Sequence, residues 1–285
     1  MSAARLPRPL VKVNSLKTLL SVFFFVLLSL SGLNLHAIEI IAHRGASYDA
    51  PENTVAAFKL GWKQKADAVE LDIWLSKDGK IVCLHDDNTR RTAGLAKAVA
   101  DQTLAELRSL DAGSWKGLEW QGEKLPTLEE VLAIIPDGKR LVIEIKCGPE
   151  VLPELERVIQ DSGKKPQQLI IIGFSYETMV LAKKRFPLIP VLYLHSYNKD
   201  KKTGQLPLLD ELIRKANAAG LDGLNLDYKW PIDAGFVQKV KTAGLKLYVW
   251  TVDDVAVAKK LAMAGVDGLT TNRPEWLREK LKTSN

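Results

Sequence analysis

The chain has 285 residues, 46% of them hydrophobic and 26% charged, with 19 Gly and 13 Pro, an ordinary globular composition with ample length for a full core in one large domain or two small ones. The formal charge of +6 carries no nucleic-acid signature: residues 1 to 37 hold four basic and no acidic residues, which leaves 36 basic against 34 acidic, or +2, with no Lys/Arg run interleaved with aromatics. Two cysteines, Cys83 and Cys147, are too few for a disulfide framework and are read as separate buried thiols, although export would permit one bridge.

At the N-terminus, Arg5, Arg8, Lys12 and Lys17 precede the apolar run LLSVFFFVLLSLSGLNL, and a small residue, Ala37, follows it. This is the layout of a secretory signal peptide over residues 1–37 with cleavage after LHA. The mature domain is then 38–285, exported to the periplasm or secreted, with no stable membrane insertion after cleavage. An uncleaved membrane anchor is the alternative, since Leu35 is not ideal at the third position before the cut.

Beyond residue 37, aliphatic runs alternate with amphipathic segments, and Gly, Pro, Asn and Asp sit at the junctions. The predicted strands are 38–42, 67–73, 141–145, 169–173, 191–194, 222–226, 246–250 and 267–271, with helical patterns between successive members and a last helix after Pro274. Eight such units in about 250 residues predict an α/β fold, a (β/α)8 TIM barrel. An open doubly wound sheet is the alternative, but no Gly-rich dinucleotide loop follows the first strand. More than fifty residues separate the second strand from the helix TLEEVLAII, which predicts a β-hairpin and then a small insertion over about 86–126, a lid or substrate wall on the C-terminal face.

The second strand reads VELDIWL. With period two, Glu70 and Asp72 share a face, a costly pairing of like charges unless a cation or basic partner lies between them. With Asp78-Gly79 as a two-residue turn, Leu75 faces Val82 and Asp72 faces His85, so the histidine joins the two acids. His43 and Arg44 follow the first strand at once, while Glu144 and Lys146 share one face of the third. Asn53 and Thr54 read as helix-start residues, with Pro51 set for a first helical turn. Three carboxylates without a Cys ligand favour a hard divalent cation, Ca²⁺ or Mg²⁺, and the nearby Arg and Lys imply an anionic, phosphate-bearing substrate. Two histidines beside a metal-bound phosphate make phosphodiester cleavage by acid-base catalysis the leading reaction class.

HRGASYDAPENT, VELDIWLSKDGKIVCLHDD, LPTLEEVL, IEIK, LYVWTV and GVDGLTTNRP, in this order, resemble the glycerophosphodiester phosphodiesterase family over nearly the whole mature chain. The resemblance implies a small-molecule glycerophosphodiester substrate cleaved to sn-glycerol 3-phosphate and an alcohol. It implies His43 and His85 as general acid and base, Arg44 and Lys146 on the phosphate, and Glu70, Asp72 and Glu144 on the divalent ion. Glu52 resembles the family's glutamate close to metal and substrate, and Trp250 the aromatic against the glycerol. Asp253 stands where Asn commonly follows the Val, and Asn272 where Asp commonly precedes the Arg; both are expected to lie away from the reacting groups. Two alternatives remain: a phospholipase D-type lyase on lysolipids that stops at a cyclic phosphate, using Trp115, Leu118 and Trp120 as an apolar rim, and a non-catalytic surface binding protein.

Overall fold

The structure is a computed structural model and describes residues 38–282 together with Met1 and Ala4. The signal segment expected over residues 1–37 therefore lies, apart from those two residues, outside the described residues. Each predicted strand forms: β1 Glu39–Ala42, β2 Ala68–Leu75, β4 Arg140–Ile145, β5 Leu169–Gly173, β6 Val191–His195, β7 Gly223–Asp227, β8 Lys246–Trp250 and β9 Gly268–Thr271, while β3 Ile81–Cys83 is the return arm of the hairpin. The order β1-β9-β8-β7-β6-β5-β4-β2, closed by pairing of β1 with β2, makes an eight-stranded parallel barrel with helices between its strands. That closure is the (β/α)8 architecture and excludes the open sheet.

Alternation along each strand divides the core in two. Val69, Leu71 and Ile73 of β2 and Leu141, Ile143 and Ile145 of β4 face outward to the helices. Ile41, Ala68, Val142, Ile170, Ile172, Leu192, Leu194 and Tyr248 face inward and fill the barrel. Burial on both faces is why a strand such as β5, LIIIG, reads as an unbroken aliphatic run. At the N-terminal end the interior is closed by an ion pair of Arg140 with Glu39, which also accepts from Tyr248 Oη at 2.9 Å. By the same parity Glu70, Asp72 and Glu144 point inward at the other end, where barrel enzymes build their sites.

The hairpin differs from expectation by one residue. Ser76 N donates to Lys80 O at 2.8 Å, and Gly79, at φ +73, closes a three-residue loop Lys77-Asp78-Gly79. The register is therefore Leu75 with Ile81 and Ile73 with Cys83, and Leu84, not His85, stands opposite Asp72. A glycine in the left-handed region relieves this longer loop just as it would the two-residue turn, so Asp-Gly alone does not choose between them. Leu84 is buried with Val82, Val99, Leu107, Ala112 and Leu125 in a small core of the insertion's own, and His85 reaches the rim only because the chain leaves the ladder there. Pro51 is likewise not in a first helical turn: the helix Val55–Lys63 is capped by Thr54, whose hydroxyl accepts from Ala57 N. Both cysteines are free thiols, Cys83 buried and Cys147 half-buried. Among the described residues no helix is long and apolar enough to cross a membrane.

Candidate active site

The loop after β1 is built around one close approach. Gly45 has φ +82, and a Cβ there would meet the Ala57 backbone at 2.5 Å, so the His-Arg-Gly turn admits only glycine. The turn throws Arg44 back over the barrel mouth with φ 53, and its backbone N–H donates to Glu70 Oε2 at 2.8 Å. Asn53, also at positive φ, clamps Asp72: its amide donates to Asp72 Oδ2 at 2.8 Å and its Oδ1 accepts from Asp72 N at 3.2 Å. Two non-glycine residues in the left-handed region within one short loop are strain that the carboxylates they hold offset.

Parallel register puts Asp72 beside Glu144. One carboxylate oxygen from each of Glu70, Asp72 and Glu144 lies within 4.8 Å of the others. Lys146 Nζ donates to Glu144 Oε1 at 2.7 Å and stands 3.4 Å from Asp72 Oδ1, while Arg44 Nε stands 3.4 Å from Asp72 Oδ2. Even so, Glu70 Oε1 and Asp72 Oδ1 are buried without a hydrogen bond. Burial first, then the charges of Asp72 and Glu144, push the Glu70 carboxyl well up; burial and Asp72 push Glu144 up to about 7 against the pull of Lys146. Three acids crowded this closely, with acceptor oxygens left over, fit a hard oxygen-seeking divalent cation.

The histidines sit in different settings. His43 holds Nδ1 2.7 Å from Asn272 Oδ1, and burial, then the Arg44 cation, lowers its pKa to about 4. His85 is more open and holds Nδ1 2.8 Å from Asp86 Oδ1. Arg91, from the insertion, joins Asp86 at 2.8 Å to Glu52 at 2.7 Å. Burial opposes ionisation of Glu52, but that hydrogen bond and the charges of Arg44 and Arg91 carry it down to about 2. Glu52 thus lies behind Arg44, held at 2.9 Å, rather than in the wall of the pocket.

His43, Arg44, Glu70, His85, Glu144 and Lys146 line one side of an open pocket, and Ile172, Phe174, Leu194 and Trp250 line the other. Trp250 donates Nε1–H to Asn225 O at 3.1 Å and packs edge-on against Phe174 with 5.6 Å between centroids. Charge on one wall and aromatic surface on the other suit an anionic group carrying a short organic tail.

Residues 43–276 match the glycerophosphoryl diester phosphodiesterase family. The chain belongs to that family. It is 36% identical over 244 residues to a glycerophosphodiester phosphodiesterase of Caldanaerobacter subterraneus, covering 84% of this chain and 95% of that one. A Bacillus subtilis glycerophosphodiester phosphodiesterase is 35% identical over 262 residues, covering 86% and 87%. The solved structure of an Oleispira antarctica phosphodiesterase, in complex with the product sn-glycerol-3-phosphate, superposes with a TM-score of 0.77 at 32% identity, over 86% of this chain and 96% of that one. As a member of the family the protein is a phosphoric diester hydrolase of the glycerophosphodiester phosphodiesterase type.

The placement of Asp253 and Asn272 corrects the expectation that both lie away from the reacting groups. Asn272 contacts His43 directly, takes a hydrogen bond from Ser47 Oγ at 2.8 Å, and its amide nitrogen pairs with Asp253, which also accepts from Thr271 Oγ1 at 2.7 Å. Sequence reasoning also missed Asn53, Asp86, Arg91 and Phe174. Of these only Asp86 carried a signal, its adjacency to His85.

Proposed function

We propose that the protein hydrolyses glycerophosphodiesters to sn-glycerol 3-phosphate and an alcohol with the aid of a divalent cation, Ca²⁺ or Mg²⁺, and the histidine pair. The observation that carries this reading is that two cationic side chains and two histidines converge on one pocket wall with a cluster of three inward carboxylates, two of which, Glu70 and Glu144, line the pocket. Glu70, Asp72 and Glu144 would hold the ion, which when bound supplies positive charge to the phosphoryl oxygens and relieves the repulsion among the three acids. Arg44 and Lys146 orient the remaining phosphate oxygens. Trp250 and Phe174 cover the apolar edge of the glycerol.

The two histidine environments divide the labour. A carboxylate only accepts, so Asp253 turns the Asn272 amide nitrogen towards itself and leaves Oδ1 facing His43; His43 must then carry its proton on Nδ1, with a lone pair on Nε2. A neutral imidazole in that tautomer takes the proton from the attacking hydroxyl: from water, which gives sn-glycerol 3-phosphate at once, or from the glycerol 2-hydroxyl, which gives a cyclic phosphate that a water then opens. The phosphate's negative charge, drawn in beside Arg44, lifts the His43 pKa towards working range. Asp86 holds the other ring by Nδ1 at 2.8 Å, and in that orientation His85 gives a proton to the leaving alcohol oxygen. Glu52 acts by fixing Arg44. Export to the periplasm or medium, with residues 1–37 removed, completes the proposal.

Single replacements test it. His43→Ala and His85→Ala should each lower kcat by roughly 10²- to 10⁴-fold with the fold intact. Near-wild-type turnover in both variants would refute the assignment.

A further inference from the structure

Phe174, Leu206, Leu208 and Tyr228 are exposed by 44%, 41%, 67% and 43%, and all four lie in the loops that follow β5, β6 and β7. Those strands are neighbours in the barrel, so their loops form one arc of the C-terminal rim. The same arc exposes Lys199, Lys201, Lys202 and Lys229. Among the described residues the first three have no ion-pair partner, and Lys229 stands 6.0 Å over the Tyr228 ring. The acids of the arc are already engaged: Asp200 accepts from Lys202 N and Thr203 N, and Asp233 caps the helix Ala234–Thr242. Phe174 ties this arc to the pocket mouth through its contact with Trp250.

Apolar side chains left in water beside unpaired lysines call for a partner that takes up both. A polyanion would satisfy the lysines and leave the four apolar side chains wet. The interface of a bilayer containing anionic lipid offers acyl surface to the one set and negative charge to the other. We propose that this arc docks the protein on an anionic lipid surface, with residues 199–208 at the interface and the pocket mouth turned towards the head groups. Docking is read without turnover, so it stands or falls apart from the phosphodiesterase reading.

The test is co-sedimentation of residues 38–285 with phosphatidylcholine vesicles and with vesicles that also contain phosphatidylglycerol. This span folds as a unit by analogy with the Oleispira structure, which it covers almost end to end. Binding should be selective for the anionic vesicles and fall with added salt. Lys201→Ala with Lys202→Ala should weaken partition about thirtyfold, from about 1 kcal/mol per basic residue at the surface. Leu206→Ser with Leu208→Ser should weaken it at least about fivefold at constant salt. Both pairs should hydrolyse a soluble diester as wild type does. Equal or negligible binding to both vesicles overturns the proposal. Loss with the lysine pair but none with the leucine pair also overturns it, because binding would then rest on charge alone and the apolar side chains would stay in water.

Discussion

Asn272 presents its side-chain oxygen to His43 Nδ1 at 2.7 Å, a neutral acceptor where a carboxylate would do the same geometric work. The nearest carboxylate of this chain of contacts, Asp253, sits one residue further out, bonded to the Asn272 amide. An acceptor without charge fixes the tautomer of His43 but adds little to its basicity, in keeping with a pKa lowered to about 4.

Asn272→Asp should therefore raise the His43 pKa. A base works only when deprotonated, so the acidic limb of kcat/KM against pH should move to higher pH by about one unit or more. Asp253→Asn frees the Asn272 amide to flip and should lower kcat more than it alters KM. Unmoved pH profiles in both variants would leave the Asp253–Asn272 pair a purely structural contact.

The crowded carboxylates make a thermodynamic prediction. Glu144 has its pKa raised from 4.5 to about 7 and Glu70 well above its usual value, so both contribute stability that is full below about 4.5 and is lost as pH rises through the folded values. His43, lowered from 6.5 to about 4, works the other way: its contribution is present above 6.5 and lost as pH falls towards 4. Above pH 6.5 the carboxylates still change, and towards pH 8.5 the thiols of Cys83 and Cys147, pushed up by burial, act in the same direction. In chelator, Tm should fall between pH 6.5 and 8.5, and saturating Ca²⁺ or Mg²⁺ should raise it most at the alkaline end. Glu144→Gln should flatten the fall. A Tm in chelator that rises with pH across this window would contradict the site electrostatics.

Much of this was legible in the sequence for definite reasons. Parallel strands buried on both faces are rich in aliphatic residues, so LIIIG announced itself, and strict alternation made Glu70 and Asp72 co-facial whatever the hairpin did. The register of that hairpin was not legible, because Gly79 suits a two- or a three-residue loop, and His85 came to the site by departing from the strand rather than by pairing in it. Asp253 and Asn272 lie 19 residues apart on loops after β8 and β9, brought together by strand pairing that no local pattern records. Arg91 belongs to an insertion without periodicity, so nothing marked it as the strap between Glu52 and Asp86.

Asn53 should prove a positioning residue for the acids. Asn53→Ala leaves Asp72 without its amide donor, a loss of about 1–3 kcal/mol, and keeps a side chain at φ 56. Asn53→Gly removes the same amide but relieves the backbone, so it should be the more stable of the two. Both should bind divalent cation about 10- to 100-fold more weakly by calorimetric titration. Unchanged affinity in both would remove Asn53 from the account.

Arg91→Ala should separate Glu52 from Asp86 at little cost in stability, within about 1 kcal/mol, because Arg91 is substantially exposed. Its effect belongs on turnover: with Asp86 and Glu52 both released, kcat should fall roughly tenfold, about 1.4 kcal/mol, while cation affinity holds. A Tm drop with undiminished kcat would make Arg91 a brace for the insertion alone.

The most direct measurement is release of sn-glycerol 3-phosphate from glycerophosphocholine and glycerophosphoethanolamine by the mature protein, first in chelator and then with Ca²⁺ or Mg²⁺ restored, with Glu70→Ala and Asp72→Ala alongside. Product is expected only with the ion present and only from the chain that keeps both acids. Undiminished product in chelator, or a response to added ion in either variant equal to that of wild type, would contradict it.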